Sequence, residues 1–502
     1  MQLEITSGKP KSAVDSCWVL LHDDKRALGT GPEQASGDSA VATVKRRFDA
    51  SGDHELSVFT EIDGQSCAVL FLSLRQVKFQ TRLESLKVLG ARAAAFAKKH
   101  KLSTLLIPLD RAKVTEIAAV AEGIQIGTYT FDRYKSSAKL EKFPNRAVLG
   151  VAKADATAVK NALRRVEIVT KAINTARDLI NEPAQAIYPE TLAQAAKALA
   201  EEHGLGFEVM DEKALRKGNF EGVLTVGKGS NRPPRLIVLR YQPRSKTSVH
   251  LGLVGKAVAF DTGGYSIKPA KDMWEMKGDM SGGAAVIAAM AAIAQLKIPI
   301  RVTAVIPSVI NAVSSTAALP GDIIKSRSGK TVHVDNTDAE GRLILMDALD
   351  YVQDEKATHV VDAATLTGSI VRAIGTTMSG LFGNDDALMR QIADAGAEAG
   401  EQYWKMPMVD EYRAQLDHPV ADIDNVGKGP NGGSITAALF LREFIRPETK
   451  WAHLDIAGTA LLTGGWKYFG PGGTGVGIRT FVGLAEKLAA APAPKQGGKA
   501  KK

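Results

Sequence analysis

The densest chemistry in this chain lies in ten residues, Val334-Asp335-Asn336-Thr337-Asp338-Ala339-Glu340-Gly341-Arg342-Leu343, where acids, a glycine and an arginine interrupt apolar sequence. In an extended segment side chains alternate faces, so Asp338, Glu340 and Arg342, spaced by two, would all point the same way. Gly341, without a Cβ, lets the backbone turn or approach a ligand. Two carboxylates held together repel and raise each other's pKa unless a cation lies between them. A metal ion is the economical cation. The plainer reading is a polar turn in which Asp338 caps a helix over Leu343 to Tyr351, because an acid before an apolar-periodic stretch is an ordinary helix start.

A second charged cluster lies upstream. Gly255-Lys256-Ala257-Val258-Ala259-Phe260-Asp261-Thr262-Gly263-Gly264-Tyr265-Ser266-Ile267-Lys268-Pro269 follows an apolar run, and Met276-Lys277-Gly278-Asp279-Met280 precedes an alanine-rich one. Further on stand Ala364-Thr365-Leu366-Thr367-Gly368 and His453-Leu454-Asp455-Ile456-Ala457-Gly458. Together these segments resemble the leucyl aminopeptidase (M17, cytosol aminopeptidase) family. Its marks are a GK-x-x-x-FD-x-GG-x-S-x-K segment, an MK-x-DM segment and an unbroken NTDAEGRL, all present here in the family's order and spacing. The resemblance covers most of residues 160 to 485. It departs at Ala257 and Ala259, where Gly and Thr are usual, and at Asn311 to Leu319, which lacks the acidic-Asn-Met start. Every proposed ligand is intact, so these departures bear on loop packing and substrate preference.

Asp261, Asp279, Asp338 and Glu340 supply four negative charges, which formally balance two divalent cations, and two-metal hydrolases hold their ions roughly 3.5 to 4 Å apart in such nests. The resemblance implies the assignment: Asp261 and Glu340 bridge both ions, Asp338 binds one, and Asp279 with the Lys256 amine completes the other. Lys256 must lose its proton to do so, which desolvation beside two dications would favour; without the resemblance, a strand-edge lysine is the plainer reading. The offset of five between Lys256 and Asp261 puts them on opposite faces of an ideal strand, so a bend or bulge is expected near Val258. A water bridging the two cations becomes a hydroxide at neutral pH and attacks a peptide carbonyl.

Lys268 resembles the family's catalytic lysine, which touches substrate and would stabilise the developing oxyanion. Arg342 resembles the second catalytic residue, whose planar fork would grip a proton-shuttling bicarbonate. The substrate's free α-amine would take a position on one metal, which makes the enzyme an exopeptidase. For the side-chain pocket the family implies Met276, Thr365, Gly368 and Ala457, with Asn336 and Leu366 adding backbone or shape; from the residues alone, each is plain packing. Oxygen-rich ligation suits Mn²⁺ or Mg²⁺, whereas the Irving–Williams order favours Zn²⁺. The family uses zinc, with one site exchanging readily for manganese.

The elements that must position these residues read as α/β. A chain of 502 residues exceeds what one core usually serves, so two domains are expected. Residues 1–155 form a smaller, non-catalytic domain with strands at Trp18 to His22, Ala68 to Leu74 and Thr104 to Pro108 and a helix over Glu84 to His100. Ala162, Val166, Val169, Ile173, Ala176 and Ile180 make one stripe of a linking helix, 156–182, which stops at Asn181-Glu182-Pro183. Residues 183–489 form the catalytic domain. There, strands at Leu236 to Tyr241, Leu251 to Phe260, Val302 to Ile306 and His359 to Ala363 alternate with helices at Thr191 to His203 and Ser281 to Leu296. That alternation predicts a central mixed sheet flanked by helices, with the site at the strands' carboxyl edge.

Composition narrows the remaining classes. With 45% hydrophobic and 24% charged residues the chain has an ordinary globular balance. Two cysteines, Cys17 and Cys67, are too few for a disulfide framework and fit a reducing cytosol. Met1 to Lys25 carries no secretory signal, and the best membrane candidate, Gly282 to Ala294, falls short of the ~20 residues a span requires. The net charge of +9 drops by four, to +5, without Lys495, Lys499, Lys501 and Lys502 of the tail 490–502, which is expected to be disordered. Nucleic acid is therefore the disfavoured partner. Ser328-Gly329-Lys330-Thr331 imitates a P-loop end, but the pattern's first glycine would fall at Ile324; Gly470 to Gly475 matches G-x-G-x-x-G with too little chain left for a βαβ unit. His333 and His453 read as structural.

The expectation is a cytoplasmic di-metal aminopeptidase that removes N-terminal residues, leucine by preference, from peptides with a free N-terminus. The resemblance also implies homohexamers with active sites facing an interior cavity. Two alternatives are a DNA-binding or recombination accessory that keeps this fold, and a two-metal phosphoesterase using the same carboxylates.

Overall fold

The computed structural model describes residues 1–490 except 24–25, 33–38, 78, 80, 138–142 and 245–248. The four tail lysines lie outside the described residues. Contacts divide the chain into two units, Met1–Asn174 with Gly464–Pro471, and Thr175–Thr463 with the residues from Gly472 onward.

The first unit contains β1 (Gln2–Ser7), β2 (Ser16–His22), α1 (Ser39–Ser51), β3 (Glu55–Ile62), β4 (Gln65–Ser73), α2 (Arg82–Lys99), β5 (Thr104–Pro108), α3 (Val114–Gly127) and β6 (Arg146–Val151). Its sheet runs β1-β6-β5-β2-β4-β3, parallel apart from the β3–β4 hairpin. The apolar runs at β2, β4 and β5 are buried along nearly their whole length, as central parallel strands must be. Helix α4 (Ala156–Asn181) follows, and the division between units falls within it. Val166, Val169, Ile173, Ala176 and Ile180 of its predicted stripe are buried.

The second unit continues with α5 (Pro189–His203), β7 (Gly206–Met210), α6 (Glu212–Lys217), α7 (Glu221–Gly227), β8 (Arg235–Tyr241), β9 (His250–Gly255), β10 (Ala257–Asp261), α8 (Ser281–Leu296), β11 (Arg301–Asn311), β12 (Ile323–Lys325) and β13 (Thr331–His333). Then come α9 (Glu340–Asp354), β14 (His359–Ala364), α10 (Gly368–Ile374), β15 (Ser379–Gly383), α11 (Asp386–Ala399), β16 (Tyr403–Lys405), β17 (Ile423–Asp424), α12 (Gly433–Arg442), β18 (Lys450–Asp455) and α13 (Ile478–Ala490). The large sheet is mixed, in the order β16-β15-β18-β14-β9-β11-β8-β7, with β10 paired to β11. Helices α5, α8 and α13 pack together on one side; α7, α9 and α12 pack on the other. The main core lies under α7, α9 and α12, where Leu345, Leu349 and Val352 meet Val254, Val360 and Trp451.

The single strand expected over Leu251 to Phe260 is two strands. Lys256 leaves the β11 ladder: its N–H donates to Ala363 O at 3.1 Å, and its carbonyl accepts from Gly283 N in α8 at 2.7 Å. The register also shifts between Val258 and Phe260, where the bulge was expected. Helix α8 can approach this break only because Gly282 has no side chain, since a Cβ there would sit 2.0 Å from Ala363 O. The helical run from Met273 to Leu296, a 3₁₀ turn continuing into α8, is longer than the apolar stretch read from sequence. It is long and apolar enough to cross a membrane, but 89% of its apolar window is buried inside the fold, as in a core helix.

His250 opens β9, buried, with Nε2 at 2.9 Å from Thr303 Oγ1. Burial, assisted by Arg301, lowers its pKa to about 4. As pH falls from the unfolded value near 6.5 toward 4, the unfolded chain takes up the proton first, so stability is lost across that window. Replacing the ring by an amide, His250→Gln, should flatten this acid limb. In unfolding titrations the wild type should lose up to about 3 kcal/mol more than the variant between pH 7 and pH 4.

Candidate active site

Strand ends supply much of the site. Lys256 follows β9, Asp261 ends β10, Asn311 ends β11, Thr365 follows β14 and Asp455 ends β18. Asp279 closes the 3₁₀ turn before α8, and Glu340 is the first residue of α9, where the positive end of the helix dipole favours a carboxylate. The extended reading of residues 334 to 343 is therefore corrected. Asn336 Oδ1 accepts the Asp338 N–H at 2.7 Å and Asn336 O accepts the Ala339 N–H at 3.2 Å, making a turn that runs straight into α9. That helix begins at Glu340 rather than Leu343, and its N-cap is Ala339 rather than Asp338. Asp338 and Glu340 still converge, because turn and helix start bring them round. Arg342 instead points down the first turn of α9, where Nη1 donates to Asn425 O at 2.7 Å.

Carboxylate oxygens of Asp261, Asp338 and Glu340 lie within 4.8 Å of one another. Two ammonium groups hold the cluster. Lys256 Nζ is 2.8 Å from Asp279 Oδ1 and 2.7 Å from Glu340 Oε1, and donates to Thr365 O at 2.9 Å. Lys268 Nζ is 2.7 Å from Asp261 Oδ2 and also pairs with Asp338. Burial opposes the charged form of both lysines, yet the surrounding carboxylates hold both pKa values above the ordinary lysine value. Four acids against two ammonium groups leave negative charge in excess. Burial, then the charges of Asp261 and Glu340, push the Asp338 carboxyl up to about 7 even with Lys268 beside it. Asp279 Oδ2 is buried with no hydrogen-bond partner among the described residues. A converging, oxygen-rich and under-neutralised set of this kind fits divalent cations.

Gly341 is required by the close approach of Lys256, because a Cβ at 341 would lie 2.7 Å from both Cε and Nζ of that side chain. Arg342 is buried, and desolvation lowers its pKa to about 10, still charged at neutral pH. Its Nε has no partner among the described residues.

The expected pocket residues meet the cluster to different degrees. Thr365 Oγ1 donates to Asp279 Oδ1 at 2.7 Å. The Leu366 and Ala457 N–H groups both point at Asp455 Oδ1, at 3.2 and 3.3 Å. Asn336 acts through its turn, and Met276 through its carbonyl, which accepts the Asp279 N–H at 3.2 Å. Gly368 opens α10 with nothing within 4 Å of where a Cβ would be. Sequence reasoning missed Asn311, Thr337, Asn425 and Asp455. Asn311 Nδ2 donates to Asp261 Oδ1 at 2.8 Å and to Thr337 O at 3.0 Å. Asn425 Oδ1 accepts from Asp335 N and Asn336 N while its own carbonyl takes Arg342. A polar residue ending a buried apolar strand was the available signal for Asn311 and Asp455; nothing local marks Asn425.

The two histidines near the motifs have structural partners. His453 Nδ1 lies 2.5 Å from Asp362 Oδ1 in the sheet interior. His333 Nδ1 lies 2.5 Å from Asp424 Oδ1 and its ring stacks on His418, forming a second group with metal-compatible spacing. There His418 Nδ1 already accepts the N–H groups of Val420 and Ala421, so its lone pair is engaged.

Residues 174–482 match the cytosol aminopeptidase family's catalytic domain, and residues 44–138 match its N-terminal domain. This chain belongs to the cytosol aminopeptidase family. Relatives include a probable cytosol aminopeptidase of Solibacter usitatus, 47% identical over 79% of this chain and 82% of that one. Another from Streptomyces avermitilis is 45% identical over 80% and 78%. Among solved structures, the bottromycin maturation enzyme BotP in complex with Mn superposes with a TM-score of 0.83 at 31% identity, over 95% of this chain and all of that one. Family membership makes the protein a metallo-aminopeptidase, and the carboxylate cluster lies within the catalytic match. Asn311→Ala removes a buried donor that orients Asp261; affinity for Mn²⁺, measured by titration calorimetry, should weaken by about 10- to 100-fold with the fold retained.

Proposed function

We propose that this aminopeptidase hydrolyses the N-terminal residue, leucine by preference, from peptides with a free amine, using two divalent cations held by Lys256, Asp261, Asp279, Asp338 and Glu340. The observation that carries this is the convergence of four buried or half-buried carboxylates on only two ammonium groups. When bound, the cations supply an activated water and a Lewis acid for the scissile carbonyl.

The chain's own groups do the rest. Lys256 must yield its proton to become a ligand, so cation uptake releases that proton and strengthens as pH rises. Lys268, kept charged by Asp261 and Asp338, stands ready to donate to the oxyanion that develops on the carbonyl. Arg342 spends Nη1 on Asn425 O and keeps donors for a planar anion such as bicarbonate. Thr365, Leu366, Gly368, Ala457, Met276 and Asn336 form the pocket for the substrate's first side chain. Zn²⁺ and Mn²⁺ are the favoured ions, and the manganese complex of BotP supports the second. Homohexamers with enclosed sites and a cytoplasmic location complete this reading, and the relatives' name, cytosol aminopeptidase, supports the location. No contact in the site favours the DNA-accessory or phosphoesterase alternatives.

The deciding assay is hydrolysis of leucine-p-nitroanilide. Chelation should abolish it, Mn²⁺ or Zn²⁺ should restore it, and a chromogenic phosphate ester should stay intact. Asp338→Asn and Lys268→Ala should each lower kcat/KM at least about 1000-fold while circular dichroism stays native. Normal turnover by either variant would overturn the assignment.

A further inference from the structure

Asp455 collects four hydrogen-bond donors on one carboxylate. It is fully buried at the end of β18. Oδ1 accepts the N–H groups of Leu366 at 3.2 Å, Thr367 at 3.4 Å and Ala457 at 3.3 Å, and Oδ2 accepts the Thr367 hydroxyl at 2.7 Å. One side chain thereby ties together the turn after β14 and the turn after β18. The Thr367 hydroxyl also accepts the Ile370 N–H at 3.1 Å, so the same bond chain sets the start of α10. Ile370, with Val371 and Ile374 of that helix, packs with Phe382, Ala438 and Ala457 in one apolar cluster. On the other side, Thr365 meets both members of the Lys256–Asp279 pair.

We propose that Asp455 is a positioning residue that fixes the width of the side-chain pocket by clamping Leu366, Thr367 and Ala457, and couples that pocket to the Lys256–Asp279 pair through Thr365. The inference rests on the aminopeptidase reading and assigns to Asp455 the selectivity for a large aliphatic first residue. A buried carboxylate with four donors is rigid, since each lost bond leaves a buried N–H or O–H unpaired at a cost of about 1–3 kcal/mol. Burial raises the Asp455 pKa, and His453, two residues back on the same strand and paired to Asp362, opposes that rise. A pocket discriminates between aliphatic side chains of different length only as well as its walls stay in place.

The test uses the full-length, metal-loaded enzyme and the p-nitroanilides of leucine, methionine and alanine. Asp455→Asn keeps the volume but removes the charge and puts an amide donor where Oδ2 accepted the Thr367 hydroxyl. The ratio of kcat/KM for leucine over alanine should fall about tenfold, through KM, with cation content unchanged. Thr367→Val, which keeps the carboxylate, should lower the ratio by a smaller factor, and Thr367→Ser should restore it. If Asp455→Asn does not fold, the threonine pair decides alone. An unchanged ratio, or a parallel fall for all three substrates that marks a general structural role, overturns the proposal. No turnover by the wild type would sink the aminopeptidase reading and this one with it; normal wild-type turnover with unaltered selectivity in the variants sinks this one alone.

Discussion

Mutual repulsion among Asp261, Asp279, Asp338 and Glu340 is the constraint around which the second unit is built. Like charges in a low-dielectric interior disfavour one another unless a counter-charge is present. Here two lysines supply part of it, and the rest of the chain prevents the carboxylates from relaxing apart. Asp261 is pinned by Asn311 and by the Gly263 N–H, Asp279 by Thr365, and Glu340 by its place in the first turn of a buried helix. The cluster is held in an arrangement that favours positive charge, which is what preorganisation for cations means in electrostatic terms.

The parallel part of the sheet makes this possible. Five chain segments leave or end strands at the same edge, and each contributes a polar group there while the strand bodies stay apolar. The helices on both faces exclude water from the strands, so the ionisable groups are concentrated at one rim instead of scattered through the core. Where a charge does enter the sheet, as at Asp362, it is matched by the Trp451 indole and His453.

Much of this was legible in the sequence. Helix α8 begins at Ser281 and ends at Leu296, as its alanine-rich composition predicts, and the five-residue offset of Lys256 from Asp261 forecast an irregular strand that the register shift provides. The segment around Asp338 was misread in its backbone, because alternation in a strand and a turn before a helix can both place residues two apart on one side. Tertiary contacts settled that choice in favour of Asn336 and Asn425 as turn partners. The roles of Asn425 and Asp455 depend on residues 80 or more positions distant, as in the 83-residue separation of Arg342 from Asn425, and local pattern carries no such information.

The one-residue gap between β9 and β10 has a consequence for motion. Lys256 is bonded through its N–H to β14, through its carbonyl to α8, and through its amine to the acids ahead of α8 and at the start of α9. Breaking both main-chain bonds of Lys256 means parting a sheet from a helix, an opening that belongs to the global unfolding reaction and not to local breathing. Amide hydrogens at Lys256 and Gly283 should accordingly be among the slowest to exchange.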